Sequence, residues 1–121
     1  MNSLYNLEER LLEYAAEAIR RCEPLPAAQS GRHVSGQLLR SGTAPMAHHG
    51  EAQAAESRKD FIHKMKIAHK ELRESIRWIK LIERVPLTKQ QDQVRTLRQE
   101  SDELIRIFHT SIKTAKSKES P

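Results

Sequence analysis

RKDFIHKMKIAHKELRESIRWIKLIER, residues 58–84, is the stretch that decides the fold. Phe61, Met65, Ala68, Leu72, Ile76, Ile79 and Ile82 recur at intervals of three, four and seven, the rhythm of one long apolar stripe on a helix. Ser57 and Asp60 are start signals. Val85-Pro86-Leu87 is a short stop, because proline lacks the backbone donor a continuing helix needs. On either side of it, three more segments carry the same rhythm.

Upstream, Leu7, Leu11, Tyr14, Ala15, Ala18, Ile19 and Cys22 predict a helix over 7–23. Asn6 with Glu9 resembles a capping box. Glu8, Glu9, Glu13 and Glu17 crowd the early turns and Arg20 and Arg21 the last, which complements the helix dipole. Pro24-Leu25-Pro26 ends it. Val34, Leu38, Leu39, Met46 and Ala47 predict a second helix over 27–54, continuous but kinked near Gly42 by Pro45, with two separate pieces as the alternative. Its Gly36, Thr43, Ala47, Gly50 and Ala54 form a row of small residues at near-heptad spacing, a surface that lets another helix come close. Downstream, Thr88 with Gln91 reads as a capping box that opens the fourth helix. Val94, Leu97, Ser101, Leu104, Ile105, Phe108 and Ile112 carry its core face.

Four amphipathic helices on short connections imply an all-α, antiparallel up-down-up-down four-helix bundle over 1–115. Residues 116–121 have no periodicity and are expected to be a disordered tail, with Lys116 and Lys118 too few to make it basic. The 121 residues amount to one domain. Four glycines and five prolines are too few for a turn-rich β sandwich. A single cysteine, Cys22, excludes an internal disulfide framework and a Cys-based zinc site. Met1-Asn2-Ser3-Leu4-Tyr5 has neither a basic nor an apolar signal-peptide region, and no run approaches the ~18 apolar residues of a membrane span. A cytoplasmic protein without membrane attachment is expected.

The formal charge of +5 is localised. Residues 58–84 hold nine basic and four acidic side chains, which accounts for all of it. Lys59, Lys66, Lys70, Arg73, Arg77, Lys80 and Arg84 fall in one band about 80° wide, centred about 130–140° from the core stripe. Like charges at i, i+4 repel, so a one-sign band suits a polyanion or an acidic partner better than an ordinary solvated face. No aromatic residue interleaves with it, so contact would be to RNA or DNA backbone rather than to stacked bases. Ile67, Glu71, Glu74 and Trp78 share a separate acidic-aromatic flank, expected to be a subunit interface.

Chemistry beyond binding finds little support. His48 and Glu51 share a helix face beside His49, but the di-iron pattern needs a second copy and the reverse order, so no metal or other cofactor is expected. Ser41, Thr43 and Ser75 have no base positioned beside them by any motif, and no glycine-rich phosphate loop is present. Cys22 lies on a core face, where a thiol serves as a small hydrophobe. No catalytic residue is expected, and the protein is read as a non-enzyme.

Leu38-Leu39-Arg40-Ser41-Gly42-Thr43-Ala44-Pro45, Gly50-Glu51-Ala52-Gln53, Glu56-Ser57-Arg58-Lys59-Asp60-Phe61-Ile62-His63-Lys64 and Ala68-His69-Lys70-Glu71-Leu72-Arg73-Glu74, followed by Trp78 and Leu81, together resemble a bacterial four-helix-bundle family. That family includes the protein encoded in ribosomal-RNA intervening sequences. Asn6-Leu7-Glu8-Glu9-Arg10 is similar to its N-terminal segment, and the likeness extends to about residue 113. Where the family usually carries Asn before a small-x-Glu step, this chain has His48, and no role is carried over to it. The resemblance implies a ring-like homopentamer without established enzyme activity. A related branch, the accessory variability determinants of diversity-generating retroelements, implies a reverse transcriptase and nucleic acid as partners. The reading is thus a non-enzymatic oligomeric bundle presenting a basic surface to nucleic acid or a nucleoprotein. The alternative is a structural or protein-interaction module that binds no nucleic acid.

Overall fold

Ser57 opens the longest amphipathic segment: its Oγ accepts the backbone N–H of Asp60 at 3.0 Å, satisfying one of the donors a helix start leaves free. From that cap α3 runs over Arg58–Arg84, between α1 (Leu7–Cys22), α2 (Gln29–Gln53) and α4 (Gln91–Ser117). This is a computed structural model, and it describes residues 6–118. The expectations for Met1–Tyr5 and for the last three residues of the tail lie outside the described residues.

Contacts between neighbouring helices run in opposite sequence directions. Arg40 on α2 meets Glu71 and Glu74 on α3, while Glu51 further along α2 meets Lys64 nearer the start of α3. Glu83 and Arg98 join the end of α3 to the start of α4, and Arg58 donates to the Lys118 carbonyl at the opposite end. Gly42 of α2 lies against Ala18 of α1, and Cys22 Sγ reaches the Ser35 carbonyl at 3.2 Å. Arg10 and Arg21 of α1 pair with Glu100 of α4 and with Gln90 at its N-cap. The bundle is therefore antiparallel, with each helix beside its neighbours in sequence and α1 closing on α4.

The core is built from the expected stripes. Leu11, Tyr14, Leu38, Met65, Leu72, Ile79, Ile82, Leu104 and Phe108 are all 2% exposed or less. Phe61 and Ile76 lie at the edges of the α3 stripe and are only half-buried, whereas Ile62 and Ser75 point inward. Phe61 instead lines an open cleft at one end of the bundle with Ala52 and Ala115. A polar node sits within this apolar interior. Tyr14 Oη lies 2.6 Å from both Ser75 Oγ and Ser101 Oγ, and these reach back to the Leu72 and Leu97 carbonyls at 3.0 and 2.8 Å. Three hydroxyl protons serve four close contacts, so every proton has an acceptor in the low-dielectric interior. Burial pushes the Tyr14 phenol above its ordinary pKa, which keeps it a neutral donor.

Four local expectations change. Asn6 stands at the N-cap of α1 but makes no side-chain cap bond. Thr88 does pair with Gln91, whose Nε2 donates to its carbonyl at 2.6 Å. However, Thr88 Oγ1 accepts the Gln90 N–H at 3.1 Å, so the pair forms a turn and α4 starts three residues later. α4 continues through Lys116 and Ser117, beyond the Ala115 boundary expected from the sequence. The small-residue row of α2 does not receive a helix of this chain: a Cβ at Gly36 or Gly50 would meet nothing within 4 Å. The close approach occurs at Gly42, where a Cβ would stand 2.6 Å from that of Ala18. α2 runs unbroken through the buried Pro45. Ser41 and Thr43 return their hydroxyls to the Gln37 and Leu39 carbonyls at 2.8 and 2.7 Å, the i−4 back-bonding common where a helix bends.

Candidate nucleic-acid interface

A helix as long as α3 can hold a row of side chains along its whole outer face. All seven cations of the row, Lys59, Lys66, Lys70, Arg73, Arg77, Lys80 and Arg84, are exposed. What makes them distinctive is where the acidic residues of the same helix have gone. Arg40 of α2 donates to Glu71 at 2.9 Å and also to Glu74, and Trp78 Nε1 donates to Glu74 at 3.0 Å. On the opposite flank, Glu83 accepts Arg98 Nε of α4 at 2.7 Å. Asp60 occupies the first turn, beside the Ser57 cap. Among the described residues, Lys59, Lys70, Arg73, Arg77, Lys80 and Arg84 form no ion pair.

The neighbouring cations of α4 are, by contrast, largely compensated. Arg95 pairs with Asp92 at 3.0 Å, Arg98 with Glu83, and Arg106 with Asp102. At the α3–α4 seam the rings of His69 and His109 lie 6.3 Å apart. His69 Nε2 is buried without a partner. Burial, then Arg73, then His109 hold the His69 imidazole below its ordinary pKa.

The expected interface flank is partly occupied inside the chain. Ile67, Glu71, Glu74 and Trp78 are half-buried. The Trp78 ring stands edge-on to His33 of α2, with centroids 5.7 Å apart. The sequence alone did not reveal Arg40 as the partner of both glutamates, because only the α2–α3 register brings residues 31 and 34 positions apart together.

The other candidates fall in separate places. His48 Nδ1 stands 3.7 Å from Glu51, whose carboxylate is also reached by Lys64 at 3.3 Å. His49 turns into the core, edge-on to Phe108 with centroids 6.1 Å apart. Among the described residues, no group of three or more His, Cys, Asp or Glu side chains is placed to hold a metal ion. Ser41 and Ser75 are fully buried, their hydroxyls engaged with carbonyls. Cys22 is half-buried, and burial chiefly, with Glu23, pushes its thiol up to about 11, so it stays protonated. Among the described residues no helix is long and apolar enough to cross a membrane.

Comparison with known proteins agrees with this architecture. No curated protein matches the chain. A solved structure of a protein of unknown function from the S23 ribosomal protein family of Bacteroides thetaiotaomicron is 33% identical. It matches with a TM-score of 0.80 over 88% of this chain and 97% of its own. Residues 8–110 match the description of the 23S rRNA-intervening sequence protein family. With that match spanning nearly all of α1, all of α2 and α3 and most of α4, the chain belongs to the 23S rRNA-intervening sequence protein family.

Proposed function

We propose that this protein is a non-enzymatic binding bundle whose α3 row engages the phosphate backbone of nucleic acid. One observation carries the reading: the carboxylates Glu71, Glu74 and Glu83 are drawn to Arg40 and Arg98 on adjacent helices, which leaves a single-sign row facing solvent. A row of this kind attracts polyanions, and each cation that neutralises a phosphate releases counterions. The family's name, which refers to an rRNA intervening sequence, is consistent with a polyanionic partner. Self-assembly, with a pentamer as the expected form, would repeat the row once per subunit.

The test reverses two charges in the middle of the row. Lys70 and Arg73 are exposed and lie off the core, so Lys70→Glu with Arg73→Glu should leave the circular-dichroism spectrum and melting unchanged. At about 50 mM salt the double variant should lose at least about tenfold in affinity for oligonucleotides, and its log K against log salt should flatten by about 0.7–0.9 for each phosphate no longer neutralised. A folded double variant that binds oligonucleotides as well as wild type would end the reading and favour a protein-interaction module.

A further inference from the structure

The shape of the row, and not only its charge, bears on what it holds. From Lys59 to Arg84 it runs about 38 Å along α3, with close to one cation per turn over most of its length. It follows a single unbroken helix, and it is one helix wide. On the α2 side Arg40 is compensated by Glu71 and Glu74, and on the α4 side Arg95, Arg98 and Arg106 are compensated by Asp92, Glu83 and Asp102. Neither flank therefore sets a row of uncompensated cations beside α3 as the wall of a clamp.

A duplex fits such a row poorly. The strands of B-form DNA complete a full turn in about 34–36 Å, close to the length of the row, and those of an A-form RNA duplex likewise wind around each other. A straight line laid along a duplex therefore meets each strand about once and passes over grooves elsewhere, leaving most of its cations without a phosphate. A line laid across the duplex overhangs it. A single strand is not wound around a partner and can bring successive phosphates to successive cations. The row carries no aromatic residue on which bases could stack, so the bases are left unread.

Resting on the nucleic-acid reading above, we propose that α3 takes single-stranded nucleic acid laid lengthwise along the row, with its phosphates on the cations and its bases turned to solvent. If the six cations that form no ion pair all engage, the salt slope for a single strand approaches about −4.

The experiment compares a short labelled oligo(U) with an RNA duplex of equal length by fluorescence anisotropy, using the full chain at several salt concentrations. The single strand should bind at least about tenfold more tightly at low salt. Lys59→Gln and Arg84→Gln, at opposite ends of the row, should each lower the oligo(U) slope by about 0.7 while the fold is kept. A duplex bound as tightly as the single strand overturns the lengthwise proposal and leaves the nucleic-acid reading standing. Two end variants that both bind oligo(U) like wild type overturn it as well. Binding of neither ligand overturns both readings.

Discussion

Gly36 and Gly42 sit six residues apart on α2, and their surroundings assign them opposite roles. A Cβ at Gly42 would come within 2.6 Å of Ala18 Cβ, while at Gly36 it would meet nothing within 4 Å. Alanine is the better helix former by about 1 kcal/mol, so Gly36→Ala should stabilise the protein by up to about that amount. Gly42→Ala should destabilise it, because overpacking costs about 1–3 kcal/mol and outweighs the propensity gain. Urea denaturation of the two variants checks the opposite signs. His49 adds a pH dependence. It is buried against Phe108, and burial lowers its pKa from 6.5, with Glu8 acting weakly in the other direction. The folded state therefore refuses a proton that the unfolded chain accepts. Above pH 6.5 this group leaves stability unchanged; as pH falls below 6.5 stability drops, and the loss levels off once pH passes below the folded-state value. His69, also lowered, acts with the same sign. The urea midpoint should fall on acidification through this window, and the fall should be shallower in His49→Gln with His69→Gln. Spacing alone marks Gly42 only as the site of a kink and His49 only as one of a polar pair, since the neighbour that decides each lies on another helix.

At the scale of elements, what could be read in advance depended on how strongly each segment repeats. α3 has a dense apolar stripe, a Ser57 cap and a proline just beyond its end, and its boundaries match expectation. α1 ends one residue early, at Cys22, because the turn before Pro24 is already forming there. α4 starts later than expected, because the Thr88 side chain bonds two residues ahead and holds a turn in place of a helix cap. α2 was the least legible, since glycine and proline weaken its periodicity and its continuity depends on packing against α1 and α3. The cationic row was legible because phase on a helix follows from spacing alone. Its isolation from the acidic residues was not, because Arg40 and Arg98 reach Glu71, Glu74 and Glu83 only once the helices are in register.

For the whole molecule, the seam between α1 and α4 differs from the other three. A cleft of about 420 Å³ opens along it, lined by Arg10, Glu13, Glu17, Glu100 and Glu103 around the ring of Tyr14. Arg10 spans the seam to Glu100 and Glu103 at 2.7 and 3.0 Å. Sequence-adjacent helices are tied by short connections, but α1 and α4 are joined by side chains alone. The expected self-association belongs to the same scale. Ile67 and Trp78 remain half-exposed after α3 has docked on α2. The protein is expected to migrate as a homo-oligomer, with the pentamer the leading form, in light scattering at tens of micromolar. A monomer under those conditions would remove the subunit repetition of the cationic row while leaving the row itself intact.

Local periodicity was enough to establish that four helices form and which face of each is apolar, with prolines that cannot continue a helix marking where they stop. It was enough, too, to gather the net charge on α3, since spacing sets angle. Packing settled which glycine receives a neighbouring helix, which serines share the Tyr14 hydroxyl, and which arginines draw the α3 glutamates away from the row. Each of these joins residues on different helices, and only the packed register of those helices brings them within reach.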